Sequence, residues 1–221
     1  MSASFKFLFL CLGRIINFLS VRWIFKCGKE CRILKQNPLY FSVLKMKSAS
    51  PLEKTNVILI GMPGSGKSTS GILLAKTLGL SFTDTDLLIQ QQEGTLLQDL
   101  INQKGFFGFV EIEERIISEI SVSLSVISTG GSVVYSDKSM ALLKKTGTIV
   151  YLDVSFPEIM RRIQNISTRG IALKSGQSLE NLYNERLPLY QKYADLTVSG
   201  DCKTIEELVT EISEKLQPFL K

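Results

Sequence analysis

The chain has 221 residues, 44% of them hydrophobic and 21% charged, with a formal net charge of +5 and no histidine. This composition suits one compact domain with an appendage, and excludes a disordered chain, a collagen-like repeat and a small disulfide scaffold. Without histidine there is no Ser-His-Asp triad, no imidazole base and no His-ligated zinc, so chemistry must rest on carboxylates, Lys, Arg, hydroxyls, backbone amides and a borrowed metal.

The charge is uneven. Residues 1–52 carry nine Lys or Arg against Glu30 alone, whereas residues 53–221 hold 17 bases and 20 acids. The larger part has no polyanion-binding signature, so no nucleic-acid partner is expected. Residues 1–50 are read as a basic, apolar extension and residues 51–221 as the folded domain. No uninterrupted run in the extension approaches the roughly 20 apolar residues that span a bilayer. Its readings stay open: an organellar transit peptide, a basic amphipathic helix on a membrane surface, or a dispensable or non-native segment ahead of Met46. Membrane contact is expected only if the extension is native. A cytoplasmic location is expected unless residues 1–45 act as a transit peptide. Cys27 and Cys31 lack partner ligands for zinc, and the four cysteines imply no disulfide framework.

In chain order, Asn56–Ile60 is a continuous apolar, β-branched run, as expected of a buried parallel strand. It feeds Gly61-Met-Pro-Gly-Ser-Gly-Lys-Ser68, a full match to G-x-x-x-x-G-K-[ST], and a helix is predicted over 67–78. The glycines, here Gly61, Gly64 and Gly66, let backbone N–H groups of Ser65 and its neighbours turn onto phosphate oxygens at a helix N-terminus. Lys67 would reach the terminal phosphates, the Ser68 hydroxyl would ligate Mg²⁺, and Thr69 completes the loop. A dinucleotide-binding fold is the alternative to weigh, but the Lys67-Ser68 pair argues against it.

Residues 81–86 read as a short strand ending in Asp84 and Asp86, whose alternation predicts two carboxylates on one face at the sheet's carboxyl end. Helix capping by Asp86 is compatible with either of two roles, in the Mg²⁺ shell or on an attacking hydroxyl. The apolar run 122–127 ends in Thr129-Gly130-Gly131, where adjacent glycines permit close backbone approach to a ligand or simply a tight turn. With residues 148–152 as a further strand, the alternation calls for a parallel sheet covered on both faces. Further helices are predicted over 109–120, 137–145, 178–194 and 204–216. The last shows Ile205, Leu208, Val209, Ile212 and Leu216 on one stripe, which reads as core packing. Residues 165–177 read as a loop able to act as a lid.

Taken together, residues 55–215 resemble the shikimate kinase family, small relatives of the nucleoside monophosphate kinases. The motifs that carry the resemblance are residues 61–69, Phe82-x-Asp84-x-Asp86, Phe109 with Glu113, Thr129-Gly130-Gly131, and Arg186-x-Pro188-Leu189-Tyr190. The resemblance implies a three-layer α/β/α P-loop kinase fold with a parallel sheet of about five strands. It also implies ATP and Mg²⁺, and transfer of the γ-phosphoryl group to a small-molecule hydroxyl, with shikimate as first candidate. By position it assigns Asp84 to the Mg²⁺ environment, Asp86 to the acceptor hydroxyls and their deprotonation, and Gly130 and Gly131 to the acceptor. It further places Arg169 in the lid over the phosphates, Arg162 against adenine, and Arg186 on the acceptor carboxylate. A monomer is expected.

Three places in the chain depart from the family pattern. Val110 stands where a second carboxylate-binding arginine is usual, and valine cannot imitate a bidentate guanidinium. Arg169-Gly170-Ile171-Ala172 replaces Arg-Pro-Leu-Leu, and Ser199-Gly200-Asp201 lacks an asparagine. A site with fewer cations and with Glu113 free to contact the ligand suits a less anionic or amine-bearing acceptor, such as homoserine or a polyol; homoserine and gluconate are the alternative acceptors to test. A nucleotide-binding module without turnover is the competitor from another class.

Overall fold

Five strands form one parallel sheet in the computed structural model, which describes residues 55–163, 171–174 and 176–219. They are β1 (Asn56–Ile60), β2 (Ser81–Asp84), β3 (Ser125–Ser128), β4 (Gly147–Asp153) and β5 (Leu196–Ser199), in the spatial order β2-β3-β1-β4-β5. β1 and β3 are buried at every residue and β4 at all but its last, while β2 and β5 form the partly exposed edges. Burial on both faces is why the central strands read as unbroken apolar runs rather than as alternation.

Seven α-helices are described: α1 (Lys67–Leu78), α2 (Thr85–Glu93), α3 (Leu97–Glu119), α4 (Asp137–Thr146), α5 (Phe156–Arg162), α6 (Leu179–Tyr193) and α7 (Ile205–Leu216). On one face of the sheet Ile58, Ile60, Ile127, Ile149 and Tyr151 pack with Ile117 of α3, Met140 and Leu143 of α4, and Leu182 and Tyr190 of α6. The alternate strand residues face the other way. There Gly71 of α1 lies so close to Leu59 and Phe82 that a Cβ would come within 3.1 and 2.8 Å of their side chains. A smaller apolar cluster joins α2 and α3 through Ile89, Leu100, Ile101, Phe106 and Phe109. This is the expected three-layer α/β/α arrangement.

The predicted helices over 67–78, 137–145, 178–194 and 204–216 match α1, α4, α6 and α7 to within a residue or two. Other elements differ. The strand ends at Asp84 and not at Asp86, because Asp84 Oδ1 accepts from the backbone N–H groups of Asp86 (3.0 Å) and Leu87 (3.4 Å) and so starts α2. Asp86 therefore sits in a helical first turn, and the capping carboxylate is Asp84. α3 begins at Leu97 and not near 109; it is two helical pieces joined at Gly105, whose φ of 69° interrupts the first. α2 and the short α5 were not anticipated, since neither carries a periodic apolar stripe. The stripe on α7 is buried at Leu208, Val209, Ile212 and Leu216, but Ile205 turns outward and is 42% exposed. Among the described residues no helix is long and apolar enough to cross a membrane.

Candidate active site

The loop between β1 and α1 holds Gly61, Gly64 and Gly66 at φ of 146°, 84° and 94°. At Gly64 a Cβ would also lie 2.7 Å from Ile163 Cγ1, so the left-handed turn and the close approach both demand glycine. Lys67 is buried, and its Nζ donates to the loop's own carbonyls, Gly61 at 2.8 Å and Met62 at 2.9 Å. Burial draws the Lys67 ammonium down to about 8, against the opposing pull of Asp86 and Asp84. Ser65 Oγ is buried without a partner among the described residues. Gly64, Ser65, Gly66, Lys67, Ser68 and Thr69 all line a cleft of about 590 Å³.

Ser68 Oγ donates to Asp84 Oδ2 at 2.6 Å and lies 3.2 Å from Ser128 Oγ. This pair offers only oxygen ligands. Among the described residues no group of three or more His, Cys, Asp or Glu is placed to hold a metal. The set suits a hard cation that completes its shell with phosphate and water oxygens.

Asp86 lines the same cleft as Lys67 and Ser68. Burial, then the Asp84 charge, push its carboxyl up to about 6, with Lys67 pulling the other way. The Thr85 hydroxyl accepts from Gly130 N–H at 3.0 Å, which fixes the Gly-Gly turn beside Asp86. A Cβ at Gly130 would lie 2.3 Å from Glu113 Oε1 and 2.8 Å from Asp86 Oδ1. Two carboxyl groups from different helices thus converge on one glycine.

Glu113 is buried in α3. Its Oε2 accepts from Ser132 Oγ at 2.7 Å, whereas its Oε1 has no partner among the described residues. Burial raises this carboxyl to about 7, partly offset by the Ser132 hydrogen bond. Arg186 is buried too: its Nη2 donates to Ala172 O at 3.1 Å and its Nε to Tyr135 Oη at 3.4 Å, with the guanidinium 5.2 Å from the Tyr135 ring centre. No carboxylate among the described residues pairs with it in an ion pair. A Cβ at Gly131 would meet Arg186 Nη1 at 2.9 Å, and Gly131 O accepts from Tyr190 Oη at 2.7 Å. The Gly-Gly turn therefore separates an acidic wall from a lone guanidinium, an arrangement fit for a small acceptor bearing both hydroxyls and an anionic group.

Arg162 occupies the other flank of the cleft. Its Nε donates to Glu158 Oε1 (2.7 Å), its Nη1 to Ser65 O (3.3 Å) and its Nη2 to Gly200 O (2.7 Å). Neither Arg162 nor Arg186 is a merely solvated helix residue. Val110 is partly buried against the α2–α3 apolar cluster, together with Tyr135. Arg169 lies outside the described residues. Sequence reasoning missed Thr85, Ser132 and Tyr135, whose roles come from contacts between distant segments; only Ser132, directly after the glycine pair, carried a local signal.

The shikimate kinase family model matches residues 63–217. A shikimate kinase from Sulfurihydrogenibium sp. (strain YO3AOP1) is 36% identical over 163 residues, covering 73% of this chain and 98% of that protein. One from Paracidovorax citrulli is 38% identical over 169 residues, covering 73% and 92%. Among solved structures, shikimate kinase from Acinetobacter baumannii in complex with shikimate aligns with a TM-score of 0.69 at 28% identity, over 74% of this chain and 93% of that one. Thymidylate kinase from Candida albicans shares the fold, with a TM-score of 0.52 at 12% identity over 76% and 94%. With the match taking in residues 63–69 of the phosphate loop, the acidic wall and the buried guanidinium, the chain belongs to the shikimate kinase family.

Proposed function

We propose that the protein transfers the γ-phosphoryl group of ATP to a hydroxyl of shikimate. The observation that carries this reading is the position of Asp86, which lines the phosphate cleft beside Lys67 and at the same time addresses Gly130 in the acceptor turn. ATP would lie on the loop 61–69, and Arg186 would grip the acceptor carboxylate. Asp86 orients the attacking hydroxyl and takes its proton as the new P–O bond forms and the bond to the β-phosphate oxygen breaks. A carboxyl held near 6 suits that exchange, although positioning and charge dominate phosphoryl transfer. Lys67 stabilises charge on the transferring group, and Arg169 supplies a second cation there. Mg²⁺, held by Ser68 with Asp84 alongside, would neutralise phosphate charge when bound. Residues 1–50 are proposed to be an extension outside this machinery.

The partnerless Glu113 Oε1 and the apolar setting of Val110 favour a second reading, in which the acceptor is a different small hydroxylated metabolite such as homoserine or gluconate. The test is ADP release by the full chain with Mg²⁺-ATP, alone and with each candidate. Stimulation by shikimate supports the first reading, and stimulation by another acceptor alone supports the second. Lys67→Ala should then abolish the stimulated rate. No stimulation by any acceptor would return the protein to a binding module.

A further inference from the structure

We propose that Lys174 joins Arg186 in binding the anionic group of the acceptor, and so supplies a charge that Val110 leaves out of α3. The inference rests on the reading of shikimate as acceptor and names a residue that recognises its carboxylate.

The backbone places Lys174 beside Arg186. Ile171 and Ala172 are buried, and Ala172 O accepts from Arg186 Nη2 at 3.1 Å. Two residues on, Lys174 N–H donates to Gln177 Oε1 at 3.1 Å, and Gln177 N–H donates to Lys174 O at 3.0 Å. The main chain at Lys174 is therefore held, and its side chain turns to the Tyr135 ring that Arg186 also flanks. The Lys174 ammonium lies 5.8 Å and the Arg186 guanidinium 5.2 Å from the centre of that ring. Hydrogen bonding to Glu185 holds Lys174 above its usual range, while desolvation and the Arg186 charge pull the other way, so the two cations sense each other.

Lys174 also stands over ground that an arginine at 110 would cover. Its Nζ is 5.4 Å from the centre of the Phe106 ring, which meets Tyr135 edge-on at 5.1 Å. Phe106 is one turn before Val110 on α3, and helix side chains lean back toward the N-terminus.

Two like charges beside one ring repel each other, and an anion between them removes that cost. Glu185 accepts from Lys174 Nζ at 2.7 Å, but the pair is on the surface, with side chains 42% and 33% exposed. An ammonium has three donors, and among the described residues Glu185 is the one hydrogen-bond partner of Lys174 Nζ. Donors thus remain for a ligand without loss of the Glu185 pair. A point charge cannot match the two-pronged grip of a guanidinium, so Val110→Arg still has affinity to add.

The test is steady-state ADP release by the full chain with Mg²⁺-ATP, using shikimate and its methyl ester, which lacks only the carboxylate charge. The ester is read as a substrate or, if it is not phosphorylated, as a competitor of shikimate. Lys174→Gln should raise the Michaelis constant for shikimate by about tenfold or more, leaving kcat and the Michaelis constant for ATP within about twofold. The constant for the ester should move by less than about twofold, because the lost charge has no partner there. Lys174→Arg should keep the shikimate constant within about threefold of the parent's. The inference is overturned if Lys174→Gln leaves shikimate use unchanged, weakens ATP instead, or impairs acid and ester alike, as a structural role would. It is equally overturned if Lys174→Arg loses as much as Lys174→Gln. A parent chain whose ADP release shikimate does not stimulate is a distinct result, which overturns the acceptor reading and this inference with it.

Discussion

The hydroxyl of Ser68, at the start of α1, donates to Asp84 Oδ2 at the end of β2 across 2.6 Å, while the other oxygen of the same carboxylate caps α2. One side chain thus joins the phosphate loop to the helix that carries Asp86. In the proposed mechanism, cation binding and acceptor positioning would share that support.

Asp84→Asn keeps a good cap but weakens the hard-cation ligand. Turnover should fall by about 100-fold or more, with a raised Mg²⁺ requirement and thermal stability changed by less than about 1 kcal/mol. ADP release titrated against Mg²⁺, beside a melting curve, checks this. Chelation of Mg²⁺ should silence the parent enzyme.

Glu113 gives the fold a pH dependence of definite sign. Its carboxyl is raised from 4.5 to about 7, so between those values the native state keeps a proton that the unfolded chain has released. Its contribution is full below about pH 4.5, declines as pH rises to about 7 and is flat above, amounting to at most about 3 kcal/mol. Glu113→Gln should remove that decline. Denaturant midpoints of parent and variant from pH 5 to 8 should converge at low pH and separate toward pH 7, with the variant the more stable there.

Gly130→Ala puts a methyl group where Glu113 Oε1 and Asp86 Oδ1 now crowd the backbone. Both carboxyl groups must shift, and overpacking of this kind costs about 1–3 kcal/mol. The Michaelis constant for the acceptor should rise about tenfold or more while that for ATP moves little, because the phosphate loop is untouched. Steady-state kinetics with each substrate varied in turn separates the two.

Val110→Arg would set a guanidinium one helical turn before Glu113, at i and i+3. It gives Glu113 a charged partner and adds a second guanidinium to Arg186 for a carboxylate-bearing acceptor. The Michaelis constant for shikimate should fall by roughly tenfold. A variant with unchanged or weaker shikimate use would show that the parent site is built for something less anionic.

Much of this arrangement was legible in the chain because local chemistry demanded it. The phosphate loop needs its glycines and its Lys67-Ser68 pair in one stretch, and the central strands are buried on both faces, so each announces itself within a few residues. The helices legible in advance were those whose apolar spacing is regular. α2, with its run Gln90-Gln91-Gln92, is held by Asp84 and by packing against α3, which no local pattern records. The same limit hid the acceptor side. Glu113 and Arg186 were visible as charges, but their burial, with no ionic partner among the described residues, arises only when α3, α6 and the Gly-Gly turn meet. Ile205 shows the opposite error: a residue on a perfect apolar stripe that lies one step too near the helix start to reach the core.

The Arg162 side chain has a consequence for how binding begins. Its guanidinium ties α5, the phosphate loop and the segment after β5 into one clasp through Glu158, Ser65 and Gly200. That wall is therefore set before any ligand arrives. The conformational entropy lost in fixing it falls on folding rather than on association, so an incoming polyphosphate meets a rigid receptor and loses little affinity to reorganisation.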